Sequence, residues 1–104
     1  MEKNLQSYGF TLSKSKTHAK EYRTGDIVIY SIPSSRINLV VSPEDYSFMK
    51  DFECCKYHNS NLSAFPKEQN NGENKIHFGY KIEFENIYSM NEFLCQYMKY
   101  KKKS

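Results

Sequence analysis

Ten residues in the last third of the chain constrain its fold more than any others. In Lys75–Phe84, Ile76, Phe78, Tyr80, Ile82 and Phe84 fall on one side of an extended backbone, and His77, Gly79, Lys81 and Glu83 on the other. A period of two is the strand period. One apolar face opposite a mostly polar one belongs to a sheet covered on one side. The remaining sequence must therefore supply partner strands and an apolar layer for that face.

Partner strands are legible upstream. Phe10–Lys14 alternates apolar and polar residues, and His18–Arg23 reads as a second short strand. Thr24-Gly25-Asp26 is a turn. Ile27–Ile32 is β-branched and nearly continuous, the pattern of a central strand buried on both faces. After the turn Pro33-Ser34-Ser35 comes a strand at Ile37–Val41, and Phe52–Tyr57 reads as a further extended segment. The covering layer is helical. Leu5 and Tyr8 mark a short amphipathic stretch over residues 1–8, with Gly9 at its end. Ser42 and Pro43 followed by Glu44 and Asp45 start a short helix reaching Met49 or Lys50. Ser89 and Glu92 form a capping box, and Met90, Phe93, Leu94, Tyr97 and Met98 make the stripe of the helix that follows. These elements predict an α+β class: a mostly antiparallel sheet with helices packed on one face, including a C-terminal helix. Residues 1–98 read as a single domain and residues 99–104 as a basic tail.

With 104 residues, 38% hydrophobic and 15% aromatic, the chain can close one small core, which excludes wholesale disorder, collagen-like and coiled-coil classes. The longest apolar runs, Ile27–Tyr30 and Leu39–Val41, fall far below the roughly 20 residues of a spanning helix, so no membrane partner is expected. No apolar stretch follows Met1, so no signal peptide is expected. An odd set of cysteines with an adjacent pair (Cys54, Cys55, Cys95) is not a disulfide framework and predicts reduced thiols in a cytoplasm.

Residues 58–74 read as a long loop holding Asn59, Asn61, Asn70, Asn71 and Asn74. Loops beyond about 12–15 residues are uncommon in compact domains. Tyr57, His58 and Phe65 offer rings to stack on an unpaired base, and Asn59 and Asn61 offer paired donors and acceptors. Lys67, Lys75 and the tail residues Lys101 and Lys102 offer phosphate contacts, and His77, on the strand that ends the loop, is a further candidate binding residue. The plainer reading is that Asn stabilises turns and that Phe65-Pro66 pins the loop to the core. His58 and His77 close the two ends of the loop and are expected to approach each other. With His18 they suggest proton transfer in a small ribonuclease, although no Ser/His/Asp or paired-carboxylate pattern accompanies them. Cys54, Cys55 and His58 match no standard zinc spacing, and no glycine-rich phosphate loop occurs, so neither a metal nor a cofactor is expected.

Charge is uneven along the chain. Residues 1–41 carry six basic and three acidic side chains, residues 42–98 five and nine, and residues 99–104 four lysines, giving +3 overall. Only two of the 15 cations are Arg, so nucleic-acid contacts would be electrostatic rather than bidentate to guanine.

The stretch Tyr8-Gly9-Phe10, Leu12, Lys14, His18, Tyr22-Arg23 and Ile32-Pro33 loosely resembles HicA-type toxins, over about 35 residues. That resemblance implies an α-β-β-β-α fold and a ribonuclease in which His18 stands for the catalytic His, but Lys16-Thr17 replaces the family's Gly-Ser pair. The expected function is a small non-enzymatic binding protein that holds nucleic acid, RNA or DNA, through the loop and a basic face. The alternatives are a protein-interaction module, such as a mobile-element inhibitor or adaptor, and a HicA-like ribonuclease.

Overall fold

The computed structural model describes residues 1–69, 72 and 74–103. Helix α1 (Glu2–Ser7) precedes strands β1 (Thr11–Lys16), β2 (Ala19–Thr24), β3 (Ile27–Ser31) and β4 (Ile37–Val41). A 3₁₀ turn (Pro43–Asp45) leads into α2 (Tyr46–Met49), followed by β5 (Cys54–His58), β6 (Lys67–Gln69), β7 (Lys75–Phe84) and α3 (Ile87–Lys103). The protein is α+β. Its antiparallel sheet runs β1-β2-β3-β4-β7-β5, and β6 also pairs with β7.

Strand β7 has the bounds its alternation predicts and is the hub of the sheet. It pairs with β4 over Tyr80–Phe84, with β5 over Phe78–Ile82 and with β6 over Lys75–His77. On one face, Ile82 and Phe84 join Tyr22, Ile29, Leu39 and Val41 in the main core. Leu5 of α1, Met49 of α2 and Met90, Phe93, Leu94 and Tyr97 of α3 cover them. The buried α3 stripe is worth about 1.5–3 kcal/mol per side chain, which fixes the helix to the sheet. The start Ser42-Pro43 forms as its residues dictate, with Ser42 Oγ accepting from the Glu44 N–H at 3.3 Å.

The other face differs from the expectation of a sheet covered on one side only. Ala19, Tyr30 and Val40 form a second buried cluster with Leu62 and Phe65, which come from the segment joining β5 to β6. That segment crosses over β7. The Asn59 N–H donates to the His77 carbonyl and the Phe78 N–H donates to the Pro66 carbonyl, both at 3.0 Å. Successive residues of a strand point their backbone groups to opposite edges, so the chain enters on the β5 edge of β7 and leaves on the β4 edge. It passes over Gly79. A Cβ there would lie 2.7 Å from the Val41 carbonyl oxygen, 2.8 Å from Val40 Cγ1 and 3.0 Å from Phe65 Cδ2. Mid-strand glycine marks such a close approach. Within the expected loop, residues 59–66 are a covering layer and Lys67–Gln69 a strand; Asn70 and Asn71 lie outside the described residues.

Five strand-to-strand steps at about 20–25° each rotate β5 by roughly 100° or more against β1, which lifts opposite corners of the sheet toward each other. Here the β1–β2 turn meets the segment after β5: Asn59 Nδ2 donates to the His18 carbonyl at 3.3 Å, and Lys14 Nζ donates to Ser63 Oγ at 3.3 Å.

Two expectations at the C-terminus are corrected. Helix α3 starts before Ser89, and the cap is Asn86, whose Oδ1 accepts from the Ser89 N–H at 3.0 Å. The helix then runs through Lys103, so residues 99–103 continue it rather than forming a separate tail. Lysine sustains helix well and suits the negative end of its dipole. The α-β-β-β-α order that the resemblance implies is not the order of this chain, because β4, α2, β5, β6 and β7 lie between β3 and the final helix.

Candidate functional site

The segment over β7 is held by a buried polar chain. Tyr30 Oη accepts from the Ala64 N–H at 2.9 Å and donates to Glu21 Oε1 at 2.5 Å. Glu21 is 1% exposed and also accepts from Ser13 Oγ (2.6 Å) and Arg23 Nε (3.1 Å). Burial pushes the Glu21 carboxyl up, but these hydrogen bonds outweigh it and hold the group below the usual carboxylate range. Tyr30 is pushed up to about 12, first by burial and then by the Glu21 carboxylate.

A second buried carboxylate, Asp45 (3% exposed), accepts from Tyr97 Oη at 2.6 Å and Lys101 Nζ at 3.0 Å, and Lys101 also lies 3.5 Å from Glu44. Tyr97 is raised by burial and then by Asp45. For Lys101, burial works downward, but Asp45 and Glu44 prevail and raise it. An unfolded tyrosine ionises near pH 10 and an unfolded lysine slightly higher. As pH rises through about 10–12 the unfolded chain loses protons that the native state retains, so stability falls. We expect the denaturant midpoint to drop across this window and the drop to be shallower in Tyr30→Phe.

Strand register decides which expected site residues meet. Tyr57, Lys67, Lys75 and His77 lie on the face carrying the crossing segment, with Asn59, Asn61 and Phe65 in or beside it. His58 does not join them. It pairs with Phe78, so its side chain lies on the helix-bearing face, whereas His77 is one residue away and faces the other side. The expected approach of His58 and His77 is thereby excluded, because successive strand residues point to opposite faces. His58 instead stacks on Phe78 at 5.8 Å and donates to Glu68 Oε1 at 2.8 Å, and Lys56 joins Glu68 at 3.1 Å. Cys54 is four residues from His58, about 13 Å along the strand, which is too far for a thiolate–imidazole pair. No group of three or more His, Cys, Asp or Glu among the described residues is placed to hold a metal ion.

Several residues expected to contact a ligand are engaged internally. Phe65 is 4% exposed and packs edge-on against Tyr30 at 4.9 Å. Burial of Leu62 and Phe65 turns these apolar side chains inward, so Phe65 is not an open stacking platform. Asn59 Oδ1 accepts from the Asn61 N–H (2.8 Å), an Asx turn, while its Nδ2 also donates to Tyr57 Oη (3.2 Å). His77 Nδ1 donates to the Phe65 carbonyl at 2.5 Å. Lys81 Nζ lies over the Tyr57 ring at 5.1 Å. Lys101 is committed to Asp45 and Glu44, and Lys102 is exposed on the last turn of α3.

Most of the charged side chains that the strands present on this side are cations. Lys14 pairs with Glu21 and Lys16 with Ala19 in the β1–β2 register, which puts both on the crossing-segment face with Lys67, Lys75 and Lys81. The strand carboxylates of this face, Glu21 and Glu83, are paired with Arg23 (3.1 Å) and Lys81 (3.8 Å). Lys14, Lys16, Lys67 and Lys75 are exposed and form no ion pair with a described carboxylate. The crossing segment, residues 59–66, is itself uncharged. Lys14, Lys16 and Lys81 were not tied to the loop by sequence reasoning. The i, i+2 spacing of Lys14 and Lys16 is the available signal; the crossing segment, packed over Ala19, Tyr30 and Val40, brings Ser63 beside Lys14.

A widened cleft of about 530 Å³ lies at the end of β5, lined by Arg36, Lys81, Glu83 and Cys55 among others, and its mixed charge matches no one ligand. No helix among the described residues is long and apolar enough to cross a membrane. Comparison with protein-family models, curated proteins and solved structures returns no match.

Proposed function

We propose that this protein binds nucleic acid through the sheet face carrying the crossing segment, with phosphates as the main contact. One observation carries the reading: four exposed lysines (14, 16, 67 and 75) share that face without an ion pair among the described residues, while its strand carboxylates, Glu21 and Glu83, are already paired. A face with that balance attracts a polyanion. The lysines replace the rings as the principal contacts, because Phe65 is buried and His58 lies on the other face. Cys54, Cys55 and Cys95 are free thiols, which accords with a reducing cytoplasm.

The test is fluorescence anisotropy with labelled oligonucleotides between about 50 and 200 mM salt. Neutralising four phosphates predicts a log–log salt slope of about −3.6 on duplex DNA. Absence of binding at about 50 mM salt overturns the proposal.

A further inference from the structure

We infer that this face takes the phosphate backbone of a duplex rather than the bases of a single strand, an inference that rests on the nucleic-acid reading above. Single-strand binding without sequence preference depends on open aromatic rings beside a basic groove. On this face the rings are engaged. Tyr30 and Phe65 are 1% and 4% exposed and pack on each other, and the Tyr57 ring is covered by the Lys81 ammonium. What the crossing segment presents to solvent is small: Ser60, Ser63, Ala64 and Pro66. The widely exposed tyrosines, Tyr46 at 50% and Tyr88 at 80%, belong to α2 and α3 on the opposite side of the sheet from the four lysines.

With stacking unavailable, discrimination falls to charge density. A duplex carries one charge per about 1.7 Å of axis and a single strand half that, with salt exponents of about 0.9 and 0.7 per neutralised phosphate. Four phosphates then separate the two by about tenfold at 50 mM salt.

Anisotropy titrations at that salt with 20-residue single strands of DNA and RNA and with their duplexes decide the matter. The DNA and RNA duplexes are separate arms, each expected to bind about tenfold tighter than its own single strand. A homopolymeric adenine strand, the strongest stacker, is expected to gain nothing over a thymine strand. A single strand that binds as tightly as its duplex, or a clear adenine preference, overturns the inference. Absence of binding to every oligonucleotide overturns the nucleic-acid reading beneath it.

Discussion

Replacing Gly79 with alanine is expected to lower the thermal midpoint by roughly 10–20 °C, equivalent to about 2–3 kcal/mol of overpacking in a domain of this size. The added methyl would sit 2.7 Å from the Val41 carbonyl oxygen and 2.8 Å from Val40 Cγ1, both in the neighbouring strand β4. A carbonyl in the middle of a sheet cannot withdraw without breaking its ladder. The third neighbour, Phe65 Cδ2 at 3.0 Å, can move only by lifting the crossing segment off β7. That movement would strain the Ala64–Tyr30–Glu21 chain and expose Leu62. The control is Gly72→Ala, where an added Cβ meets nothing within 4 Å. Melting followed by circular dichroism checks both variants. An unchanged midpoint in Gly79→Ala would show that the segment does not lie against β7 at this residue.

The second large effect concerns the lysines. The quadruple variant Lys14→Ala, Lys16→Ala, Lys67→Ala, Lys75→Ala is expected to lose roughly four to five orders of magnitude in duplex affinity at 50 mM salt and to flatten the salt slope from about −3.6 toward zero. These side chains are exposed, so the melting temperature should change little. Removing charge at Lys99, Lys102 and Lys103 of α3 gives the matching comparison, since they too are exposed but belong to a helix rather than to this face. Retained affinity in the quadruple variant, with loss in the α3 variant, would move the binding surface to the helix end.

Much of this architecture was legible in the residues. The alternation of Lys75–Phe84, the β-branched run at Ile27–Ile32 and the stripe ending in Tyr97 and Met98 each reflect a single element's period, and each formed close to its expected position. What escaped is what depends on distant pairing. Leu62 and Phe65 sit among Asn and Ser, without strand or helix periodicity, so their burial follows only from where β5 leaves them. Gly79 did carry the clue: a glycine on the polar face of an otherwise regular strand marks a close approach. The Asp45–Lys101 contact joins groups 56 residues apart and has no local signature. Read locally, four terminal lysines look like a solvated end. At the candidate site, residue types were informative but their orientation was not, because the one-residue offset that separates His58 from His77 is a matter of register.

The hub position of β7 bears on how the chain acquires its structure. Strands β4, β5 and β6 all precede β7 in sequence; β5 and β6 pair with β7 alone, and β4, already paired with β3 on one edge, fills its other edge with it. During synthesis the β1–β4 portion can assemble by hairpins while β4 presents an unpaired, apolar edge (Leu39, Val40, Val41). That edge stays open for roughly 40 further residues of translation, a few seconds at ordinary elongation rates. An exposed strand edge is a template for pairing with another chain. Aggregation of nascent chains released before Phe84 emerges, rather than unfolding of the finished protein, is the hazard this topology builds in.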